Sequence, residues 1–280
     1  MKPIFDPEQG RMKIAVAVSG SGTNYERVRE ELPDLDYLVI SNKPDCQGVQ
    51  KAHGYEHPVL TLDSDAYQES LGRKFSRRGP DRDAYDMAIA KLIEQHFDGN
   101  PDLICLAGYD LWLGDWIVNR YYPCILNVHP GDATKGYKGL HHVPSAKALL
   151  AGEEHVKSTL FFVDTSDDGG PIFVQSAPVS VWHDKWAKKL EAIMNFASRY
   201  GTKTWEEFLK AARSENPLVE REMEYVAGKI QGRLKEEGDW KIYPFAVRLI
   251  NEGRVDVINR TVYIDGQAMP KEGYQMKESE

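Results

Sequence analysis

Apolar runs alternate with helical patterns along the first half of the chain. Lys13 to Ser19 (KIAVAVS) reads as a buried strand, Asn24 to Leu32 as a helix, Tyr37 to Ser41 as a strand and Val59 to Leu62 as a short strand. Ala84 to Phe97 places Met87, Ile89, Leu92 and Ile93 at helical spacing. Asp102 to Ala107 and Cys124 to Val128 are further short apolar runs, with the helix-like Trp112 to Tyr121 between them. Strands alternating with helices predict an α/β fold with a doubly wound, mostly parallel twisted sheet, helix-covered on both faces. Ligands collect at the carboxyl ends of such strands, so chemistry is sought just after each run.

From Ser158 the pattern changes. Thr159 to Val163 and Pro171 to Val179 read as strands joined through the polar turn TSDDGG, and a long helical stretch runs from near Asp184 to about Asn251, broken by Gly201 and Pro217. Val255 to Asn259 and Thr261 to Asp265 read as two short final strands before a polar tail. No internal repeat, low-complexity segment or Pro/Gly/Ser-rich linker marks a domain boundary.

Composition narrows the classes. The 280 residues carry 35 basic and 43 acidic side chains, a formal charge of −8, and are 41% hydrophobic. This balance suits a globular chain with a sizeable core. It disfavours a nucleic-acid partner, because the densest basic cluster, Lys74 to Arg82, is short and interrupted. Even the apolar run Leu103 to Leu113 is broken by Gly108 and Asp110, which argues against a membrane span. Cys46, Cys105 and Cys124 are odd in number and lack CxxC spacing, so a reducing cytoplasm is the natural setting.

Three motifs carry candidate chemistry. In Ser19-Gly20-Ser21-Gly22-Thr23-Asn24, two glycines precede a helix start, where unpaired N–H groups can receive a phosphate. The dinucleotide fingerprint fails, since Tyr25 stands where a third glycine is needed, and no Gly-Lys-Ser/Thr makes a Walker loop. A merely structural tight turn is the competing reading. Asn127-Val128-His129-Pro130 follows a strand-like run, and strand alternation puts Asn127 and His129 on one face. A carboxamide beside an imidazole suits stabilisation of an oxyanion with proton management; strand-end capping is the plainer alternative. Asp167-Asp168-Gly169-Gly170-Pro171 puts two acids on a sharply bent loop able to lean over a site, although most such turns are only turns.

With these motifs in order, the chain resembles the folate-dependent formyltransferases, most closely those that formylate phosphoribosylglycinamide in purine biosynthesis. The resemblance runs through KIAVAVSGSGTN, VISNKPD, DRDAYD, LICLAGY, ILNVHP, GLH, GEEH and DDGGPIFVQ, and resumes in IYPFAVRLINEGRVDV and YIDGQAMPKEGY, covering most of Met12 to Tyr274. It implies a Rossmann-like N-terminal half, a C-terminal half contributing the folate side, and 10-formyltetrahydrofolate as co-substrate with no metal. Carried over by position, Asn127, His129 and Asp168 form the catalytic trio. Gly20, Ser21, Gly22, Thr23 and Asn24 bind the phosphate, and Arg82, Gly108, Val128 and Asp239 complete the substrate side. Asp239 stands where the family usually has Glu, and Arg82 can equally be a solvated helix-start charge. Asp110, Leu111, Trp112, Leu113, Asp164 and Asp167 fall on the folate side.

The chain also departs from the family. Ala107 to Leu113 reads AGYDLWL against a usual AGFMRIL, so Asp and Leu replace a Met and the Arg that meets the folate tail, and Gly131 to Tyr137 replaces SLLPKY. His141 and His142 read as loop residues, not metal ligands. Residues 185–220 have no family counterpart and read as an inserted helical pair. The expected organisation is an extension over residues 1–12, a formyltransferase domain over 13–274 containing that insertion, and a polar tail at 275–280. The expected function is formyl transfer to a primary amine. Alternatives are another acceptor such as an amino sugar nucleotide, formyltetrahydrofolate hydrolysis, or a non-catalytic binding protein on the same scaffold. Small-molecule amine and folate are the expected partners, with a homodimer left open.

Overall fold

The computed structural model describes residues 3–137, 139–166 and 169–278. In chain order its main elements are β1 (Lys13–Val18), α1 (Thr23–Glu31), β2 (Asp36–Ser41), α2 (Gln47–Gly54), β3 (Val59–Thr61), α3 (Ser64–Leu71), α4 (Pro80–Phe97), β4 (Leu103–Leu106), α5 (Asp115–Tyr121) and β5 (Ile125–His129). Then come α6 (Val143–Leu150), β6 (His155–Val156), β7 (Thr159–Phe162), β8 (Ile172–Gln175), β9 (Val179–Ser180), α7 (Ala187–Tyr200), α8 (Trp205–Glu215) and α9 (Pro217–Leu234). A π-helical turn (Lys235–Asp239), α10 (Trp240–Asn251), β10 (Val255–Ile258), β11 (Thr261–Ile264), β12 (Gln267–Ala268) and β13 (Tyr274–Gln275) finish the chain.

The chain divides into two compact units. The first takes the residues up to Val128 with Leu160–Val174 and Tyr243–Tyr274; the second takes His129–Thr159, Gln175–Ile242 and the residues from Gln275 on.

The first unit is built on an eight-stranded sheet of order β13-β8-β7-β5-β4-β1-β2-β3. β1 pairs in parallel with β2 and β4, β2 with β3, and β4 with β5. Both faces of the central strands are buried, which explains near-continuous apolar runs in place of alternation. On one face Ala15, Ala17, Leu38, Ile40, Ile104 and Leu106 pack with Tyr85, Ile89 and Ile93 of α4 and with Ile117 and Tyr121 of α5. On the other, a Cβ added at Gly48 of α2 would stand 2.9 Å from Val18, and the Tyr243 hydroxyl of α10 donates to the Leu126 carbonyl at 3.3 Å. The α/β fold with helices on both sides of a mostly parallel sheet is as the pattern predicts.

The second unit packs α6, α7, α8 and α9 around Leu190, Ile193, Phe208, Met223, Val226 and Ile230. The helical stretch breaks where expected. Gly201, with φ +64°, ends α7, and Pro217 occupies the first turn of α9. Thr204 and Glu207 form a reciprocal capping box that starts α8.

Several local expectations are corrected. α4 begins four residues before Ala84, because Pro80 suits a helix start, and Met87 is exposed, outside the buried face of Tyr85, Ile89, Ile93 and Phe97. The segment before α5 is not helical until Asp115, since the Gly114 N–H is taken by the Asp86 carboxylate at 2.7 Å. Pro171 to Val179 is two strands, not one. β8 ends at Gln175, the Ser176 N–H and hydroxyl turn to the Ser158 backbone, and past Pro178 β9 joins β6 in a separate two-stranded sheet.

Candidate active site

The parallel register brings the carboxyl ends of four strands level in the first unit. Ala17 pairs with Ile40 and Leu106, and Leu106 with Asn127. The segments that follow β1, β2 and β4 therefore emerge along one edge, the position where such sheets bind ligands.

The first segment is the glycine loop. Gly22 has φ +64°, and a Cβ on it would stand 2.5 Å from the Gly48 Cα, so this glycine is required for close packing of α1 against α2. Gly48 N–H also donates to the Gly20 carbonyl at 2.9 Å. Gly20 itself faces open space. The Ser21 and Thr23 hydroxyls stand 3.5 Å apart at the helix start, and the buried Asn24 amide oxygen has no hydrogen-bond partner among the described residues.

A polar network that sequence reading missed joins the same edge. Ser19 Oγ donates to Asn42 Oδ1 at 2.6 Å and accepts from the Asp110 N–H at 2.9 Å, while Asn42 Nδ2 donates to Asp110 Oδ1 at 3.0 Å. Lys43 forms an ion pair with the same carboxylate. Burial works against ionisation of Asp110, but hydrogen bonds from Lys43 and Asn42 outweigh it and hold the carboxyl below its ordinary range. The negative charge of Asp110 is thus compensated internally. The only sequence signal was a Lys two residues past the end of β2.

Around Asp110, Gly108 has φ +84° with open space at its Cβ, and its carbonyl accepts from the Ser19 N–H at 3.0 Å. Leu111 and Leu113 pack against the core of the first unit, whereas Trp112 is exposed beneath the Arg77 guanidinium, 3.6 Å from the ring centroid. Arg82 is no solvated charge. It is 1% exposed and ion-paired with Asp86, itself 0% exposed, and Asp86 also accepts from Gly114.

β5 carries both Asn127 and His129, with Val128 between them facing the opposite way. Asn127 and Val128 are half-buried. In the second unit His129 is 5% exposed, and its Nε2 lies 2.8 Å from the Tyr137 carbonyl. A carbonyl only accepts, so Nε2 carries a proton. Gly131 makes room for the ring, since a Cβ there would lie 3.1 Å from Nε2. Its carbonyl accepts from Thr159 Oγ1 at 2.8 Å, and Asp132 accepts from Gln175 Nε2 at 2.9 Å. These bonds fix the turn after β5. Pro130, Gly131 and Tyr137 also line a cavity of about 420 Å³.

Asp239, also in the second unit, is 6% exposed on the π turn, which forms where Ser158 Oγ donates to the Leu234 carbonyl at 3.2 Å. Among the remaining expected positions, Asp164 pairs with Arg260 and accepts from the Ser166 N–H at 2.9 Å. Asp167 and Asp168 lie outside the described residues. Of the two histidines read as loop residues, His141 has φ +53° and His142 caps α6.

A family model described as formyl transferase matches residues 12–200. The chain belongs to the formyl transferase family. Its relatives include the phosphoribosylglycinamide formyltransferase of Haemophilus influenzae, 29% identical over 267 residues that span 94% of this chain and 98% of the relative. The enzyme of the same name from Escherichia coli is 25% identical over 272 residues, 95% of this chain and all of the relative. In fold, the chain is similar to the solved phosphoribosylglycinamide formyltransferase of Coxiella burnetii, with a TM-score of 0.66 at 23% identity, over 95% of this chain and 100% of the other. Among the described residues of this formyl transferase, no helix is long and apolar enough to cross a membrane, and no group of three or more His, Cys, Asp or Glu could hold a metal ion.

Proposed function

We propose that this formyl transferase moves the formyl group of 10-formyltetrahydrofolate to the primary amine of phosphoribosylglycinamide. The observation that carries the chemistry is the pairing of Asn127 and His129 on one face of β5, at the carboxyl edge of the sheet. Relatives matched over nearly the whole chain support the acceptor.

The amine nitrogen attacks the formyl carbon, and a C–N bond forms as the carbonyl oxygen takes up negative charge. Asn127 donates to that oxyanion. His129, whose Nε2–H is committed to Tyr137, acts through Nδ1 and donates only as the imidazolium. The tetrahedral adduct then collapses, the bond from carbon to N10 breaks, the amine loses a proton through Asp168 or a water it orders, and N10 gains one. No covalent enzyme intermediate is needed. Gly20 to Asn24 receive the substrate phosphate at the start of α1, and Asp239 takes the ribose hydroxyls. Asp110, Trp112 and Asp164 mark the folate side. Arg82 is left out of the substrate contacts, because Asp86 already holds its guanidinium. Reduced folate and amine are the small-molecule partners in this one-carbon reaction, and the cytoplasm is its setting.

Separate replacement of Asn127 and His129 by Ala tests the roles. Each variant is expected to lose about a hundredfold or more in kcat, as removal of an oxyanion donor does, with little change in KM. Wild-type kcat in either would remove that residue from the mechanism.

A further inference from the structure

His129 is held by a backbone group, and the place of that group depends on one carboxylate. The Tyr137 carbonyl accepts from Nε2 at 2.8 Å, which commits that nitrogen and leaves Nδ1 for chemistry. A carbonyl eight residues along the chain stays in place only if the loop between is fixed. Its first half is fixed, because Thr159 and Gln175 hold Gly131 and Asp132, and the Asp132 carboxylate accepts from the Thr134 N–H at 2.9 Å. These anchors stop at Thr134. Beyond them the chain passes Gly136, with φ +73°, and reaches Tyr137. Among the described residues, the side-chain hydrogen bonds of Lys135 and Tyr137 both end on Glu153. Lys135 Nζ donates to Oε2 at 2.6 Å, and the Tyr137 hydroxyl donates to Oε1 at 2.8 Å. Glu153 is itself secured just past α6, where its N–H donates to the Ala148 carbonyl at 3.0 Å. Lys135, Tyr137 and Glu153 all line the cavity of about 420 Å³, so close packing does not substitute for these bonds on that side.

We propose that Glu153 is a positioning residue for formyl transfer, holding the Tyr137 carbonyl where it fixes the orientation and tautomer of His129. This rests on the role given to His129 above. The charge states suit such a strut. Hydrogen bonds from Lys135 and Tyr137 hold the Glu153 carboxyl below its ordinary range, so it only accepts. Burial and the bond to Glu153 push the Tyr137 hydroxyl up to about 12, so at neutral pH it keeps the proton it donates. A neutral imidazole deprived of its Nε2 acceptor can rotate about its Cβ–Cγ bond or move its proton to Nδ1. Either change alters the group presented to the oxyanion.

Tyr137→Phe removes the hydroxyl and keeps the ring that packs on the helical core, and Glu153→Ala removes the acceptor. In each, kcat is expected to fall about tenfold, with both KM values within about twofold. Glu153→Gln, whose amide oxygen still accepts from Tyr137, recovers most of that loss. Combining Tyr137→Phe with Glu153→Ala adds nothing to the larger single loss, because both act through one bond. Reading the ring itself separates positioning from stability. Nitrogen-15 NMR of histidine-labelled protein at about pH 8.5, where an ordinary imidazole is neutral, should show the His129 proton on Nε2 in wild type and divided between both nitrogens in Glu153→Ala. The His129 signals are assigned by their absence from His129→Ala. Wild-type kcat in Glu153→Ala, or a reduced kcat with the wild-type His129 spectrum, overturns the proposal. Wild-type turnover in His129→Ala instead overturns the role of His129, and with it any positioning through that ring. A disabled His129→Ala beside a wild-type Glu153→Ala removes only the strut.

Discussion

Replacing Asp86 by Ala strands a guanidinium in the core. Arg82 and Asp86 are 1% and 0% exposed, and the carboxylate accepts from Arg82 Nε at 3.0 Å, from Arg82 Nη2 and from the Gly114 N–H at 2.7 Å. Removing one partner of a buried pair costs roughly 3–5 kcal/mol, because the other charge is left without compensation. Loss of the bond that ties the start of α5 to α4 acts in the same direction. Against a total stability of about 5–15 kcal/mol, this is a large fraction. With a urea m-value near 2.5 kcal/mol/M, the unfolding midpoint followed by tryptophan fluorescence should fall by on the order of 1–2 M. The double variant Arg82→Met/Asp86→Leu, which buries apolar groups of similar volume, should recover most of that loss.

The pair also has a pH signature. Burial raises the Asp86 carboxyl above its ordinary range, while Arg82 works to lower it. In Arg82→Met the folded value rises further. A raised folded value means that the stability is fully present below the unfolded value, about pH 4, and is lost as pH climbs through the folded one. Arg82→Met should therefore be closest to wild type near pH 4 and fall behind it toward pH 7. An Asp86→Ala loss under about 1 kcal/mol would refute the buried-pair argument. A KM for the amine acceptor raised about tenfold in a well-folded Arg82→Met/Asp86→Leu variant, about 1.4 kcal/mol of binding, would return Arg82 to the substrate side.

Two further outcomes follow from local geometry. Gly20→Glu has open space for its side chain, so Tm should hold while the carboxylate at the helix start raises KM for the phosphorylated acceptor at least tenfold, roughly 1.4 kcal/mol; an unchanged KM in steady-state assays would remove the phosphate from this loop. Burial pushes the Cys105 thiol up to about 12 and the Cys124 thiol up to about 11, so iodoacetamide at pH 8 should label Cys46 first, as read by peptide mass spectrometry, and early labelling of Cys105 would contradict its burial.

Strands buried on both faces were the easiest part of the fold to read, because runs such as Lys13–Val18 and Leu103–Leu106 need no alternation to be recognised. α2, α3 and α6 escaped notice. Each is eight residues long, and α3 buries only Ser64, so neither length nor periodicity announces it. At the site, Asn127 and His129 were legible because two residues on one strand share a face whatever surrounds them. Arg82 and Asp86 stand four apart within one helix, a spacing equally common in solvent, and only the neighbouring Tyr85 and Ile89 hint at burial. Glu153 lies in the motif GEEH, but nothing in that motif points to Tyr137, 16 residues earlier. Leu111, expected on the folate side, is half-buried and packs in part against the core of the first unit.

The central claim is formyl transfer to phosphoribosylglycinamide, and the most direct measurement follows tetrahydrofolate release by the purified chain given 10-formyltetrahydrofolate and one acceptor at a time. Rapid release with phosphoribosylglycinamide, matched mole for mole by formylated product, and only slow release with water, amino sugar nucleotides or amino acids, is the predicted result. Equal release with no amine present, or faster transfer to another amine, would contradict it.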